Sequence, residues 1–212
     1  MLRVRDGRFD KVFCVGLNKT GTTSMTEFFR ALGYSVGDQR AGELLVEAWS
    51  VRNFEPIISL ARTADFFQDI PFSCPYTYQT MDLAFRNAKF ILTVRDDAEQ
   101  WYNSLVRFHT KVVGWKRTPT AADLRDCLYC YKGWMYQTMT MIFNVSDNAP
   151  YERENLIRFY QRYNAGVMEY FRSRPNTLLV VNLAESNAAK RILDFLGADY
   201  DGQEIPHLNS SS

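Results

Sequence analysis

The chain of 212 residues contains no unbroken apolar run of the roughly 20 residues that a membrane-crossing helix needs, and its first residues, Met-Leu-Arg-Val-Arg-Asp-Gly-Arg-Phe-Asp-Lys, form no apolar leader segment. The reading is a soluble, cytoplasmic protein. Charge of one sign is also missing: Lys plus Arg number 25 against 24 Asp plus Glu, a formal net charge of +1. No global field draws in nucleic acid or an anionic membrane, so any anion site must be local, and the expected partner is a small molecule. Oligomeric state is not written in the sequence. Four cysteines, Cys14, Cys74, Cys127 and Cys130, are too few for a disulfide framework in a chain of this size. Cys127 and Cys130 make a C-x-x-C, but it falls in a helical pattern with no second pair and no nearby histidine, so no metal is expected. There is no internal repeat, and the only low-complexity stretch is the terminal serine run, so residues 209–212 are expected to be a disordered tail.

What remains is an apolar, ring-rich chain: 46% of residues are hydrophobic and 15% aromatic. This length and composition suit one α/β domain over 1–212, with a sizeable core and enough rings to line a pocket as well. Apolar strands alternate with helical stretches. Residues 11–15, 88–94 and 177–182 read as buried strands, with a shorter one over 64–68. Helical patterns cover 42–50, 54–62 and 77–87, and two longer stripes run through 121–143 and downstream from Leu156 to Tyr170. This is the pattern of a three-layer fold, a mostly parallel central sheet flanked by helices.

The first strand runs into Gly16-Leu17-Asn18-Lys19-Thr20-Gly21-Thr22-Thr23. The spacing is almost that of a P-loop, G-x-x-x-x-G-K-[ST], but Thr22 stands where the lysine belongs and Lys19 lies inside the loop. A helix starting at Thr22 offers backbone N–H groups and the positive end of its dipole to a phosphate. A second cation follows another strand: Arg95, then a helix carrying Ser104. Ligands of open α/β sheets bind at the carboxyl ends of strands, so both motifs should open on one crevice. Taken alone, Arg95 is open to a second reading, an ion pair with Asp96, Asp97 or Glu99.

Together these motifs, with Val94-Arg95-Asp96, Trp101-Tyr102, Phe195-Leu196-Gly197 and Ile205-Pro206-His207-Leu208-Asn209, resemble the sulfotransferases that use 3′-phosphoadenosine 5′-phosphosulfate (PAPS), in a compact subfamily of P-loop fold. The resemblance spans nearly the whole chain. It implies PAPS as donor and 3′-phosphoadenosine 5′-phosphate (PAP) as product, with Lys19 at the bridging oxygen of the leaving phosphate. It further implies Thr20, Gly21, Thr22 and Thr23 at the 5′-phosphate, and Arg95 and Ser104 at the 3′-phosphate. Many members space the arginine and serine eight apart; here Asn103 takes the eighth place and Ser104 the ninth.

Sulfuryl transfer also needs a group to take the acceptor's proton. Asp69, in Phe66-Phe67-Gln68-Asp69-Ile70-Pro71, stands between the two motifs where cytosolic sulfotransferases carry a catalytic histidine, and a carboxylate among rings is placed for a raised pKa. His109 is the other candidate base, about one and a half helical turns beyond Ser104. His207 reads as structural or pocket-closing. Trp115, Lys116 and Arg117 read as a lid, and Tyr129, Tyr131, Trp134 and Tyr136 as either core or acceptor pocket. The acceptor itself, a small hydroxyl or amine compound, is not specified. Two other functions stay open: a P-loop nucleotide kinase or NTPase, and a non-catalytic nucleotide-binding module.

Overall fold

The computed structural model describes residues 11–114 and 116–206. Trp115, His207 and the tail over 209–212 lie outside the described residues. The chain divides into two compact units, one running to Asp96 and resuming at Asn164, the other comprising Asp97–Tyr163.

The first unit is built on a four-stranded sheet of β1 (Val12–Cys14), β2 (Phe66–Phe67), β3 (Lys89–Val94) and β4 (Leu178–Asn182), in the order β2-β1-β3-β4. Every pairing is parallel, with Val12 opposite both Phe66 and Lys89 and Phe90 opposite Leu178. Continuous apolar strands form such a sheet because helices cover both faces. The period of two along each strand sorts the side chains. Val12, Cys14, Phe66, Ile91 and Val181 pack with Met25, Phe28 and Phe29 of α1 (Thr22–Ala31) and with Ile192, Leu193 and Leu196 of α10 (Ala188–Leu196). On the other face Phe13 is ringed by Phe67, Phe72, Phe85 and Phe90, at centroid distances of 6.0, 5.7, 5.8 and 5.6 Å. Much of the aromatic share therefore belongs to the core of this sheet. The fold is α/β, a parallel sheet flanked by helices, as the alternating pattern predicts.

Two stretches differ from the sequence reading. Residues 42–50, read as one helix, are two: α2 (Gln39–Glu43) and α3 (Val46–Ser50). Asp38 starts α2 early because its carboxylate accepts the Ala41 N–H at 3.0 Å. The helices α4 (Glu55–Ala61) and α5 (Thr77–Ala84) fall where the pattern puts them.

In the second unit the stripe over 121–143 is likewise broken, into α7 (Ala121–Asp126) and α8 (Trp134–Phe143). Thr120 and Asp123 close a capping box on α7, and Cys127 leaves the helix in extended backbone. Cys127 and Cys130 thus lie in the connection and not inside a helix, and Leu128, counted in the apolar stripe, is 77% exposed. The same unit holds α6 (Ala98–Val113), where Asp97 caps the Gln100 N–H at 2.7 Å, while α9 (Arg153–Phe171) crosses the boundary between the units. No helix among the described residues is long and apolar enough to cross a membrane.

Candidate functional site

The strand order places β1 beside β3, with the chain stepping outward to β2 before crossing back to β3. That reversal makes the carboxyl ends of β1 and β3 the switch point of the sheet. The loop after β1 lies tightly on the end of β3. A Cβ on Gly16 would stand 2.0 Å from Thr93 Oγ1 and 2.5 Å from the Thr93 carbonyl oxygen, so only glycine lets the two backbones come this close. Thr20, fully buried, donates its hydroxyl to the Leu17 carbonyl at 2.6 Å and sits 2.6 Å from the Thr93 hydroxyl. With its proton given to Leu17, Thr20 is the acceptor in the second bond.

The backbone is left-handed at Lys19 (φ 71°) and at Gly21 (φ 101°), the N-cap of α1. The N-cap residue of α1 is a glycine, which supplies no capping side chain, and the helix start faces the loop. This is the arrangement in which a helix start binds an anion. Arg95, directly after β3, donates its Nε–H to the Lys19 carbonyl at 2.7 Å and so ties the second cation to the first loop. The carboxylates near it in sequence each have at least one further partner. Asp96 accepts from Asn182 Nδ2, Asp97 caps α6, and Glu99 pairs with Arg153.

Asp69 follows β2, left-handed itself at φ 59°, before a cis Ile70–Pro71 peptide. Its Oδ1 accepts the Ile70 N–H at 2.8 Å and its Oδ2 accepts the Thr22 hydroxyl at 3.3 Å, which joins this carboxylate to the first residue of α1. Burial pushes the Asp69 carboxyl above its ordinary value, and the nearby Glu43 charge pushes the same way. The Ile70 amide, Lys19 and the Thr22 hydroxyl pull it down without cancelling the rise.

Glu43 was missed in the sequence. It is buried on α2, accepting from Gln39 Nε2 at 3.0 Å and pairing with Arg40 at 3.1 Å, while Gln68 Nε2 donates to Gln39 Oε1 at 3.0 Å. The structure therefore brings Lys19, Thr20, Gly21, Thr22, Thr23, Asp69 and Arg95 into the first unit, at one end of its sheet.

Ser104 and His109 belong to the second unit, on α6. Ser104 is partly exposed and Asn103 exposed. His109 is buried with Trp101 and Leu105, and its Nδ1 lies 2.8 Å from the Tyr151 hydroxyl. Burial raises the Tyr151 pKa, so that group stays a neutral hydroxyl. Of the segment read as a lid, Arg117 is tied to Asp123 through two bonds of 2.7 and 3.2 Å and holds that carboxyl well below the usual range. The rings read as core or pocket also have partners within the unit. Tyr129 stacks on Trp134 at 5.2 Å, Tyr131 donates to Gln137, and Tyr136 donates to Asp147 with Arg125 over its ring.

A family model described as a sulfotransferase domain matches residues 11–212. Among curated proteins no match is found.

Proposed function

The chain belongs to the sulfotransferase family and is an enzyme that transfers sulfuryl groups; on that premise we propose that its donor is PAPS and its acceptor a small molecule bearing a hydroxyl or amine. The observation that carries this reading is the bond from Arg95 Nε to the Lys19 carbonyl, which sets two cationic side chains and a helix start with glycine at its N-cap on one loop. A ligand with two separate phosphate groups is the natural occupant of two such cations. The fit extends to the backbone, because the contact of Gly16 on Thr93 leaves the loop no room to shift toward β3.

PAPS, when bound, would supply the sulfuryl group to the acceptor, and its 5′-phosphate would be the leaving group that remains on PAP. The chain's own residues would then divide the work. Lys19 and the first amides of α1 present positive charge where negative charge builds. Arg95 anchors the second phosphate. Asp69 takes the acceptor's proton, since its raised pKa gives a stronger base than an ordinary carboxylate. His109 is the weaker candidate for that role, because its Nδ1 is engaged by the Tyr151 hydroxyl inside the second unit. The reading needs no nucleic-acid or membrane partner and no metal.

Calorimetric titration of PAP, with ATP plus Mg²⁺ as comparison, tests the donor. Lys19→Ala and Arg95→Ala should each weaken PAP binding by roughly ten- to a hundred-fold, about 1.5 to 3 kcal/mol for one charge-assisted contact. Preference for ATP with Mg²⁺, or PAP binding indifferent to Arg95→Ala, would replace this reading with the nucleotide kinase one.

A further inference from the structure

The segment from Gln68 to Tyr76, which begins at the proposed base, is followed along its length by α2 and α3. Gln68 bonds Gln39; a Cβ on Gly42 would stand 3.0 Å from the Ile70 carbonyl oxygen and 3.3 Å from Pro71 Cδ; and Trp49 Nε1 donates to the Pro75 carbonyl at 2.8 Å. Asp69 and Glu43 put two carboxylates at one end of this strip. The other end carries a cation. The Arg52 guanidinium lies over the rings of Trp49 and Tyr76, at 5.2 and 4.4 Å from their centroids, and pairs with no carboxylate among the described residues. Trp49 is 3% exposed and Tyr76 53%, so one ring is core and the other faces solvent with the guanidinium.

The backbone under Arg52 is unusual. The Arg52 N–H donates to the Trp49 carbonyl and the Asn53 N–H to the Ala48 carbonyl, each at 2.9 Å, which is the helix ending that places one residue in left-handed backbone. That residue is normally glycine, and here it is Arg52, at φ 62°. Tyr76 beneath it is left-handed too, at φ 67°. Two side-chain-bearing residues in left-handed backbone, touching each other, are the kind of local strain that clusters at functional sites. The strip is also electrostatically continuous. After burial itself, the Cys74 thiol feels the Asp69 carboxylate, which raises its pKa, and the Arg52 guanidinium, which lowers it.

We propose that Arg52, over Trp49 and Tyr76, is an acceptor subsite for an anionic group, so that the enzyme's acceptor carries a carboxylate, phosphate or sulfate in addition to the hydroxyl or amine presented to Asp69. A planar guanidinium held on ring faces keeps its N–H edge for such a group and donates two parallel bonds to it. The proposal rests on the reading of the first unit as a sulfotransferase site.

The test compares three phenols of one shape, 4-hydroxyphenylacetate, 4-hydroxybenzylphosphonate and the neutral 4-hydroxyphenylacetamide, binding to the full chain both nucleotide-free and saturated with PAP. At least one anionic phenol should bind roughly ten-fold or more tightly than the amide. Arg52→Gln and Arg52→Gly should bring the pair to within about two-fold of each other. Arg52→Gly also relieves the left-handed strain, so it should melt no lower than the wild type; a packing role alone would lower it. Equal affinity for charged and neutral phenols, no binding of any, or a preference that survives in both variants overturns the subsite. If PAP fails to bind the wild type, the donor reading fails by itself, and the nucleotide-free titration still decides the role of Arg52.

Discussion

Asp69→Asn should lower turnover by about two to four orders of magnitude, the loss expected when a positioned general base is removed, while the protein stays folded and binds PAP as before. The substitution suits the site. Asn tolerates the left-handed backbone that Asp69 adopts at φ 59°. Its amide oxygen can accept from Ile70 N–H, and the Thr22 hydroxyl, now facing an N–H₂, can turn to accept instead. What disappears is only the capacity to hold a proton.

The pH dependence should separate the proposed base from an ordinary surface carboxylate. With its carboxyl raised by burial and by Glu43, activity should climb with pH through an inflection above the usual Asp range of 3.8, and that inflection should be absent from the residual activity of Asp69→Asn. Stability moves the opposite way. A folded-state pKa above the unfolded one means that the native state holds its proton longer. The contribution of Asp69 to stability is therefore fully present below the unfolded pKa and is lost as pH rises through the folded one. Asp69→Asn never ionises. Its melting temperature should overtake that of the wild type as pH rises, and identical melting curves across that window would remove the buried-base argument.

Much of this was legible because it is local. A continuous apolar strand, a glycine-punctuated loop and a helix start are written within a dozen residues around Lys19, and Arg95 sits directly after a strand of the same kind. Glu43 was not legible, because with Arg40 three residues earlier it looks like a solvated helix pair. It is in fact buried, on a helix that packs closely onto the Ile70–Pro71 turn at Gly42. Arg52 reads as a surface arginine after a short helix, and its ring partner Tyr76 is distant in sequence. The break between α7 and α8 was hidden by an apolar stripe that runs on through the connection, where Leu128 points outward and Cys127 is buried against Met135. His109 did carry a signal in its spacing, four residues beyond Leu105 and eight beyond Trp101, which puts it on the buried stripe of α6.

Gly16→Ala should be strongly destabilising. The added carbon would meet Thr93 Oγ1 at 2.0 Å and the Thr93 carbonyl oxygen at 2.5 Å. The hydroxyl can rotate away, but the carbonyl belongs to β3, paired to β4 on its far side, and cannot. Either β1 and β3 separate at their carboxyl ends or the loop lifts off. The expected cost is about 3 kcal/mol, the upper range for overpacking, with loss of PAP binding because the loop that carries Lys19 and accepts from Arg95 moves with it. The double substitution Gly16→Ala with Thr93→Ala removes the hydroxyl and leaves the carbonyl, so it should not restore either property. Gly166→Ala is the matched control. That glycine lies within α9, where a new Cβ would be 3.7 Å from the Tyr78 hydroxyl, an ordinary contact, and alanine should stabilise the helix by about 0.5 to 1 kcal/mol. Recovery of stability and PAP binding in the double variant would show that the loop rests on the Thr93 side chain; continued loss would show that it is held by backbone against backbone, which lets the short strand β1 fix the phosphate loop.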